Sequence, residues 1–430
     1  MIRLQAPASK SVSHRMLIAS ALAKGTSLLH HVLDSADLER TRDLLQTAGA
    51  KLEALGNGSW KVTGMANSPR GSSPEHPADC FVGESGTTCR LLSAILAAGR
   101  GSFRIHGAGR MHERPIGTLT DALSSLGADI RFEGRPGFPP MLIHTDGLRG
   151  GSVSLSMDES SQYLSGLLLA APFCAEALCV TLAGRKPVSW PYVGLTLQAL
   201  EDFGIAFAVE TLEKGTWQSA PWKTLTKATP GELRITVEPG AYRAGEHHVE
   251  GDWSGASYFL AAGAVGREPV LVSGLRADSL QGDRAMLDYG TLLGQQGDVS
   301  IAISDCPDLA PPLAVWGALR EGQLHLTNAA RLRLKESDRL ATITDTLTAL
   351  GADIHEEADS LTICGKSSLV GGVTVDCHND HRIAMMLAIA ATRCMKPVTL
   401  TGAQCVNKSY PDFWQDYTAL GGVFHEHIGQ

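Results

Sequence analysis

Leu123-Ser124-Ser125-Leu126-Gly127-Ala128-Asp129-Ile130 and Leu347-Thr348-Ala349-Leu350-Gly351-Ala352-Asp353-Ile354 read almost alike. In each, apolar residues at helical spacing run into a glycine, and a short strand pattern follows. The glycine marks a left-handed helix C-cap. The pattern recurs at Leu44-Leu45 to Gly49-Ala50-Lys51, Leu200 to Phe203-Gly204-Ile205, Leu292-Leu293 to Gly297-Asp298-Val299, and Leu420-Gly421-Gly422-Val423. The strands that follow alternate, as in Ile130-Arg131-Phe132 and Leu361-Thr362-Ile363. Most copies lie about 70–80 residues apart, too far for a solenoid and suited to a βαβ-containing subdomain used repeatedly. A chain of 430 residues exceeds one usual core. Six copies in two domains means three per domain, and the fold class is α/β.

Composition narrows the partners. The chain is 43% hydrophobic and 19% charged, with a net charge of −8. That acidity argues against general nucleic-acid or membrane-surface binding. No signal peptide and no bilayer-length apolar run is present. The nine cysteines show no CxxC pair and read as free thiols of a reducing cytoplasm. Cys377, His378 and His381 lack a second ligand pair, so no metal site is expected. Asn67 to Pro77 and Glu213 to Glu232 read as surface loops, and a boundary falls near Glu250-Gly251-Asp252, before a helical run from Ala256 to Ala264.

Seven segments place hydroxyls, glycines or cations where a helix begins. The first is Ser9-Lys10-Ser11-Val12-Ser13-His14-Arg15. The second is Gly83-Glu84-Ser85-Gly86-Thr87-Thr88-Cys89-Arg90, and the third runs from Arg110 to Gly117, with Arg114 extended before Pro115. The fourth is Ser160-Ser161-Gln162-Tyr163, with Ser189 and Tyr192 further on. The fifth is Arg331-Leu332-Arg333-Leu334-Lys335-Glu336-Ser337-Asp338-Arg339, read as a strand end followed by a helix capped by Ser337. The sixth and seventh, Asn379-Asp380-His381-Arg382 and Asn407-Lys408-Ser409-Tyr410-Pro411-Asp412-Phe413, each read as a strand end opening a helix. Cys306-Pro307-Asp308 sets a carboxylate at another such junction. A helix N-terminus offers free N–H groups and a positive dipole end to an anion. Lys10, Arg15, Arg90, Arg114, Lys335, Arg339, Arg382 and Lys408 share this kind of junction. An acidic protein arranged in this way is built to hold more than one highly charged anion.

These segments, in this order, resemble the 5-enolpyruvylshikimate-3-phosphate synthase family over nearly the whole chain. The specific pieces are Lys10-Ser11-Val12-Ser13 with Arg15, Glu113-Arg114-Pro115-Ile116-Gly117, Ser160-Ser161-Gln162, Lys335-Glu336-Ser337-Asp338-Arg339 and Asn379-Asp380-His381-Arg382. The resemblance implies a two-domain inside-out α/β barrel with three βαβαββ repeats per domain. Domain 1 would comprise residues 1–8 and 251–430, domain 2 residues 9–250, with the active site in the cleft between them. The implied reaction moves the enolpyruvyl group of phosphoenolpyruvate to the 5-hydroxyl of shikimate 3-phosphate through a tetrahedral intermediate and releases phosphate, with no metal or organic cofactor. Lys10, Ser11, Arg15, Ser160, Ser161, Gln162, Ser189, Tyr192, Asp308 and Lys335 would hold shikimate 3-phosphate. Lys10, Gly86, Arg114, Gln162, Arg339, Arg382 and Lys408 would hold phosphoenolpyruvate. Asp308 is the expected base and Glu336 the expected acid, with Lys10 as the alternative acid. A cytoplasmic monomer whose domains close on substrate is expected.

Ala8, Glu84, Ser85, Leu91 and Arg331 depart from the family's usual residues. They bear on substrate affinity and glyphosate sensitivity. Two other readings remain. UDP-N-acetylglucosamine enolpyruvyl transferase shares fold and donor but carries a cysteine just before its Arg-Pro motif, and His106 to Glu113 holds none. A non-catalytic anion-binding protein would not need Asp308 and Glu336 in one pocket.

Overall fold

The computed structural model describes residues 1–426 apart from 66, 67, 187, 226, 227 and 267. The chain divides into two units, Met1–Ser9 with Glu250–Gln430, and Lys10–Val249. All six marker glycines hold positive φ, from +73° at Gly204 to +119° at Gly127. A side chain would strain that backbone, which is why five outer helices stop there; Met286–Leu293 ends earlier, at Gly294, and Gly297 turns the chain into the next strand.

One strand arrangement recurs. In the sheet of Ala78–Phe81, Gly101–His106, Met141–Thr145 and Asp129–Phe132, the first two strands are parallel and the rest antiparallel. The strands Val299–Ala302, Gln323–Thr327, Ser360–Cys364 and Asp353–Glu356 repeat it in the discontinuous unit. So do Gly151–Ser156, Leu178–Ala183, Leu233–Val237 and Phe207–Glu213, extended by Thr216–Ser219. Thr216–Ser219 therefore makes part of the expected Glu213–Glu232 loop a strand, because Thr216 to Ser219 pair residue for residue with Glu213 to Glu210. The sheet of Thr26–His30, Ser59–Thr63 and Lys51–Gly56 takes its parallel strand, Glu246–His248, from the far end of its unit.

Each repeat supplies two helices of different character. The helices Lys10–Leu22, Gly86–Ala97 and Gln162–Ala170 are buried almost all round. So are Trp253–Val265, Ala310–Ala318 and His381–Ala391. The glycine-ended helices, such as Ala36–Thr47 and Arg339–Ala349, bury one face. Helices apolar all round must be surrounded by protein, so sheets and outer helices wrap the inner ones. The three inner helices of the discontinuous unit pack on one another. Leu313, Ile383, Leu387 and Phe259 lie fully inside this core. Burying such a side chain contributes about 1.5–3 kcal/mol.

Four further local readings change. Ala330–Leu334 is a 3-10 helix, not a strand end, because the Asp359 carbonyl and carboxylate accept from Ala329 N and Ala330 N and curl the segment. Asp338, not Ser337, caps the next helix, accepting from Ala341 N at 3.2 Å. Lys408 ends the 3-10 helix Ala403–Lys408, and the following helix starts only at Phe413. The sixth glycine copy keeps its helix, but residues 423–426 form no strand, having no neighbour to pair with among the described residues.

Candidate active site

The chemistry-bearing residues lie mostly at helix starts and the turns before them, on the inner helices and on the outer helices Trp190–Asp202 and Arg339–Ala349. Five hydrogen bonds and a close approach organise those of Lys10–Val249. Arg90 Nη1 donates to Gln162 Oε1 at 3.0 Å, and Gln162 Nε2 donates to Thr87 Oγ1 at 2.9 Å. The first turns of two inner helices are thereby tied together. Ser85 caps one of them, its hydroxyl accepting from Thr88 N at 3.2 Å. Ser160 Oγ accepts from Gln162 N at 3.2 Å at the start of the other. Arg114 is extended, as its place before Pro115 requires, and its guanidinium lies against Gly86. Its Nη1 donates to the Glu84 carbonyl at 3.1 Å. None of these three inner helices carries an acid in its first turn, so the dipole ends stay positive.

Lys10 and Arg15 are placed differently. Lys10 Nζ pairs with Asp37 Oδ2 at 2.9 Å. Arg15, 2% exposed, spends its N–H groups on neutral acceptors: Thr196 Oγ1 at 2.8 Å, Ser11 O at 2.8 Å, Tyr192 O at 2.8 Å and Ser165 Oγ at 3.4 Å. Burial lowers its pKa to about 10, which still leaves it charged at neutral pH. These contacts fix its direction. Ser189, in left-handed backbone at φ +55°, opens the helix that carries Tyr192 and Thr196. Ser11 and Tyr192 thus meet Arg15 through their carbonyls.

The discontinuous unit is organised around Asp308. Arg339 Nη1 donates to its Oδ1 at 2.9 Å, and Arg382 Nη2 to its Oδ2 at 2.9 Å. Lys335 Nζ stands 3.7 Å from Oδ1. Arg339 also binds Asp380 through Nε at 2.7 Å and Nη2 at 3.2 Å. Asp380 in turn accepts from Ser337 Oγ at 3.0 Å and from Arg382 N at 3.0 Å, capping its helix. Glu336 Oε2 is 2.8 Å from His381 Nδ1 and 3.8 Å from Arg339 Nη2. Lys408 Nζ donates to Asn379 O at 2.7 Å, beside that cap.

The electrostatics follow from crowding. Burial acts to lower the Arg339 pKa, but Asp380, Asp308 and Glu336 outweigh it and raise it. Burial likewise opposes ionised Asp380, and Arg339 outweighs it, holding the carboxyl below its usual range. Lys335 is lowered to about 7, first by burial and then by Arg331, Arg339 and Arg382, with Asp308 opposing. A fifth of the Lys335 side chain remains exposed, so solvent relieves part of that shift. Glu336, Asp380 and His381 bring three donor atoms together as a metal would require. Arg339 already occupies both oxygens of Asp380, so the cluster is filled by a fixed cation instead.

Sequence reading missed the residues behind this shell. Arg382 Nη1 donates to Ser254 Oγ at 2.6 Å, and Ser254 hydrogen-bonds Asp283, which is 3% exposed. Burial first, and Asp308 second, raise the Asp283 carboxyl to about 7. Gln281, two residues earlier, accepts from Ser9 Oγ at 3.2 Å and Trp253 N at 3.1 Å and donates to Gly251 O at 2.8 Å. It holds both passages of the chain between the units. The carboxylate at the start of the Asp252-Trp253-Ser254 helix was the only sequence signal here.

The family that matches this chain is EPSP synthase (3-phosphoshikimate 1-carboxyvinyltransferase), over residues 2–417. A 3-phosphoshikimate 1-carboxyvinyltransferase of Cellvibrio japonicus is 36% identical over 435 residues, covering 97% of this chain and 96% of its own. One from Laribacter hongkongensis is 37% identical, covering 96% and 95%. Among solved structures, the 2.37 Å EPSP synthase of Acinetobacter baumannii is similar at a TM-score of 0.76 and 26% identity, over 98% of this chain and 95% of that one. No helix among the described residues is long and apolar enough to cross a membrane.

Proposed function

Because the chain belongs to the EPSP synthase family, and so is a 3-phosphoshikimate 1-carboxyvinyltransferase of the shikimate pathway, we propose a division of labour between the helix-start residues of its two units. The reaction transfers the enolpyruvyl group of phosphoenolpyruvate to the 5-hydroxyl of shikimate 3-phosphate and releases phosphate. Asp308 takes the proton of the 5-hydroxyl. Glu336 delivers a proton to the methylene carbon, making C2 electrophilic, so that the alkoxide adds there and forms the tetrahedral intermediate. Loss of a methyl proton and of phosphate restores the double bond. Fixed cations offset the charge of the departing phosphate without reorganising, which is where such sites gain most.

Ser160, Ser161, Gln162, Ser189, Tyr192, Arg15, Ser11 and Lys335 serve shikimate 3-phosphate in this reading. Arg114 over Gly86, Arg339, Arg382, Lys408 and Lys10 serve phosphoenolpyruvate. The acid-free helix ends of Lys10–Val249 suit anions, whereas the discontinuous unit supplies the carboxylates. Substrate charge bridging the two sets draws them together and excludes water. Lys10 remains the alternative acid, but its pairing with Asp37 at 2.9 Å favours Glu336. The nine free thiols suit a reducing cytoplasm.

The observation that carries the mechanism is Asp308 gripped by Arg339 and Arg382, with Glu336 on the same Arg339. Two carboxylates in distinct surroundings can take opposite proton roles. The test is phosphate release with each substrate alone and with both. Release only with both supports the reading. Turnover with UDP-N-acetylglucosamine in place of shikimate 3-phosphate, or none at all, overturns it.

A further inference from the structure

Period-two geometry sends Glu246 and His248 to one face of the strand Glu246–His248, and His247 to the other. His247 turns inward, its ring stacked on Phe203 at 4.1 Å. His248 stands in register with His30 on the parallel neighbour, and the two imidazoles stack with centroids 4.5 Å apart at 23°. His30 Nε2 is 2.9 Å from Glu246 Oε1, and its Nδ1 is 3.2 Å from Ser59 Oγ on the next strand. One ligand atom each from His30, Glu246 and His248 lies within 4.8 Å of the other two.

We propose that His30, His248 and Glu246 form a binding site for a borderline divalent transition-metal ion of the zinc class. Two imidazoles and one carboxylate select that class over magnesium and calcium, which demand oxygen shells. A His30–Glu246 ion pair explains two of the three residues. It leaves without a role His248, which lies face to face with the His30 imidazole. A shared metal ion uses the ring nitrogens and the carboxylate together. Glu246 and His248 are exposed, so an ion enters from solvent and completes its shell with water. Lys61, on the same face across from Leu28, is drawn off towards Glu53 at 3.6 Å. The cluster of Glu336, Asp380 and His381 lacks this freedom, with Arg339 already inside it.

The site sits where binding has mechanical consequences. Glu246–His248 is a three-residue edge strand, and the chain passes from Val249 into the other unit immediately after it. His31 Nδ1 is 3.0 Å from the Val249 carbonyl. An ion pins this short strand to Thr26–His30 just before the passage. A species that binds the folded state alone also raises its stability.

The experiment is calorimetric titration of metal-stripped protein with Zn²⁺, with Co²⁺ as a spectroscopic probe and Mg²⁺ as the control. One Zn²⁺ per chain is expected, with a rise in Tm and no response to Mg²⁺. The Co²⁺ complex should lack the near-ultraviolet thiolate charge-transfer band that any of the nine cysteines would produce. His30→Ala and His248→Ala should each weaken binding at least tenfold, and the double variant should abolish it. Unchanged binding in the double variant, a thiolate band, or no stoichiometric binding overturns the proposal. These residues lie outside the proposed reacting set, so the metal-free variants should keep their turnover. The outcome is thus read independently of the phosphate-release assay.

Discussion

Arg114 lies so close over Gly86 that a β-carbon there would stand 2.4 Å from Nη2 and 2.7 Å from Cζ. The clash is with the far end of a flexible side chain, so Gly86→Ala moves the guanidinium instead of unfolding the helix. The expected result is a KM for phosphoenolpyruvate raised roughly tenfold or more, the scale of one displaced charge-assisted contact. Tm should stay within a few degrees of the parent. Steady-state kinetics with each substrate varied, beside a melting curve, checks both halves.

Glu336→Gln keeps the shape of the side chain and cannot cycle a proton. Turnover should fall by about 10²-fold or more. Asp308→Asn should do the same, and it also strips Arg339 and Arg382 of a shared partner, so it should lower Tm as well. Near-normal single-turnover rates in both variants would dismiss the acid–base scheme.

Lys335 predicts a proton linkage. With its pKa lowered to about 7, it is part-deprotonated in the free protein at neutral pH. An anion beside it restores the proton. Binding of shikimate 3-phosphate near pH 7.5 should therefore take up protons, and affinity should fall above pH 7 by at most tenfold per unit. Calorimetry in buffers of different ionisation enthalpy measures the uptake, and Lys335→Met should remove it.

Asp283 predicts a stability slope. Its folded pKa of about 7 lies above the ordinary 3.8, because burial, then Asp308 and to a lesser degree Asp252 disfavour its charge, against Arg382 and Ser254. The neighbouring groups Cys306 and Tyr289 stay protonated, raised by burial. The folded state then binds the extra proton between these values. Stability is highest below the unfolded pKa and is lost as pH rises through about 7, by at most about 1.4 kcal/mol per unit. Asp283→Asn mimics the neutral form, so its urea stability should be flatter than the parent's between pH 4 and 7. Equal slopes would show that Asp283 is already ionised when folded.

The repeat was legible because a glycine in positive φ follows every outer helix, directly after its cap in all but Met286–Leu293, a purely local demand. The inner-helix starts were legible because hydroxyls and cations cluster there in sequence. What escaped notice was pairing over long separations. Nothing near Arg15 announces Thr196, 181 residues away, and nothing near Arg382 announces Ser254, 128 residues away. The Arg-Leu-Arg-Leu alternation at 331–334 misled for the same reason, since Asp359, which curls it, is remote in sequence. Asp283 left no trace because a buried acid looks like a surface one until its neighbours are known.

Ile2–Gln5 pairs in parallel with Val270–Ser273. On the ribosome, at about 5–20 residues per second, the second strand follows the first by on the order of 10–50 s. Throughout that interval the leading strand has no template, while Lys10–Val249 already contains every strand of its own three sheets. The inserted unit is therefore made whole before the discontinuous one, and Ile2–Gln5 waits for a partner made after that unit. Mutations that slow the inserted unit should prolong exposure of that unpaired edge, so defects in yield should outrun defects in the stability of the finished enzyme.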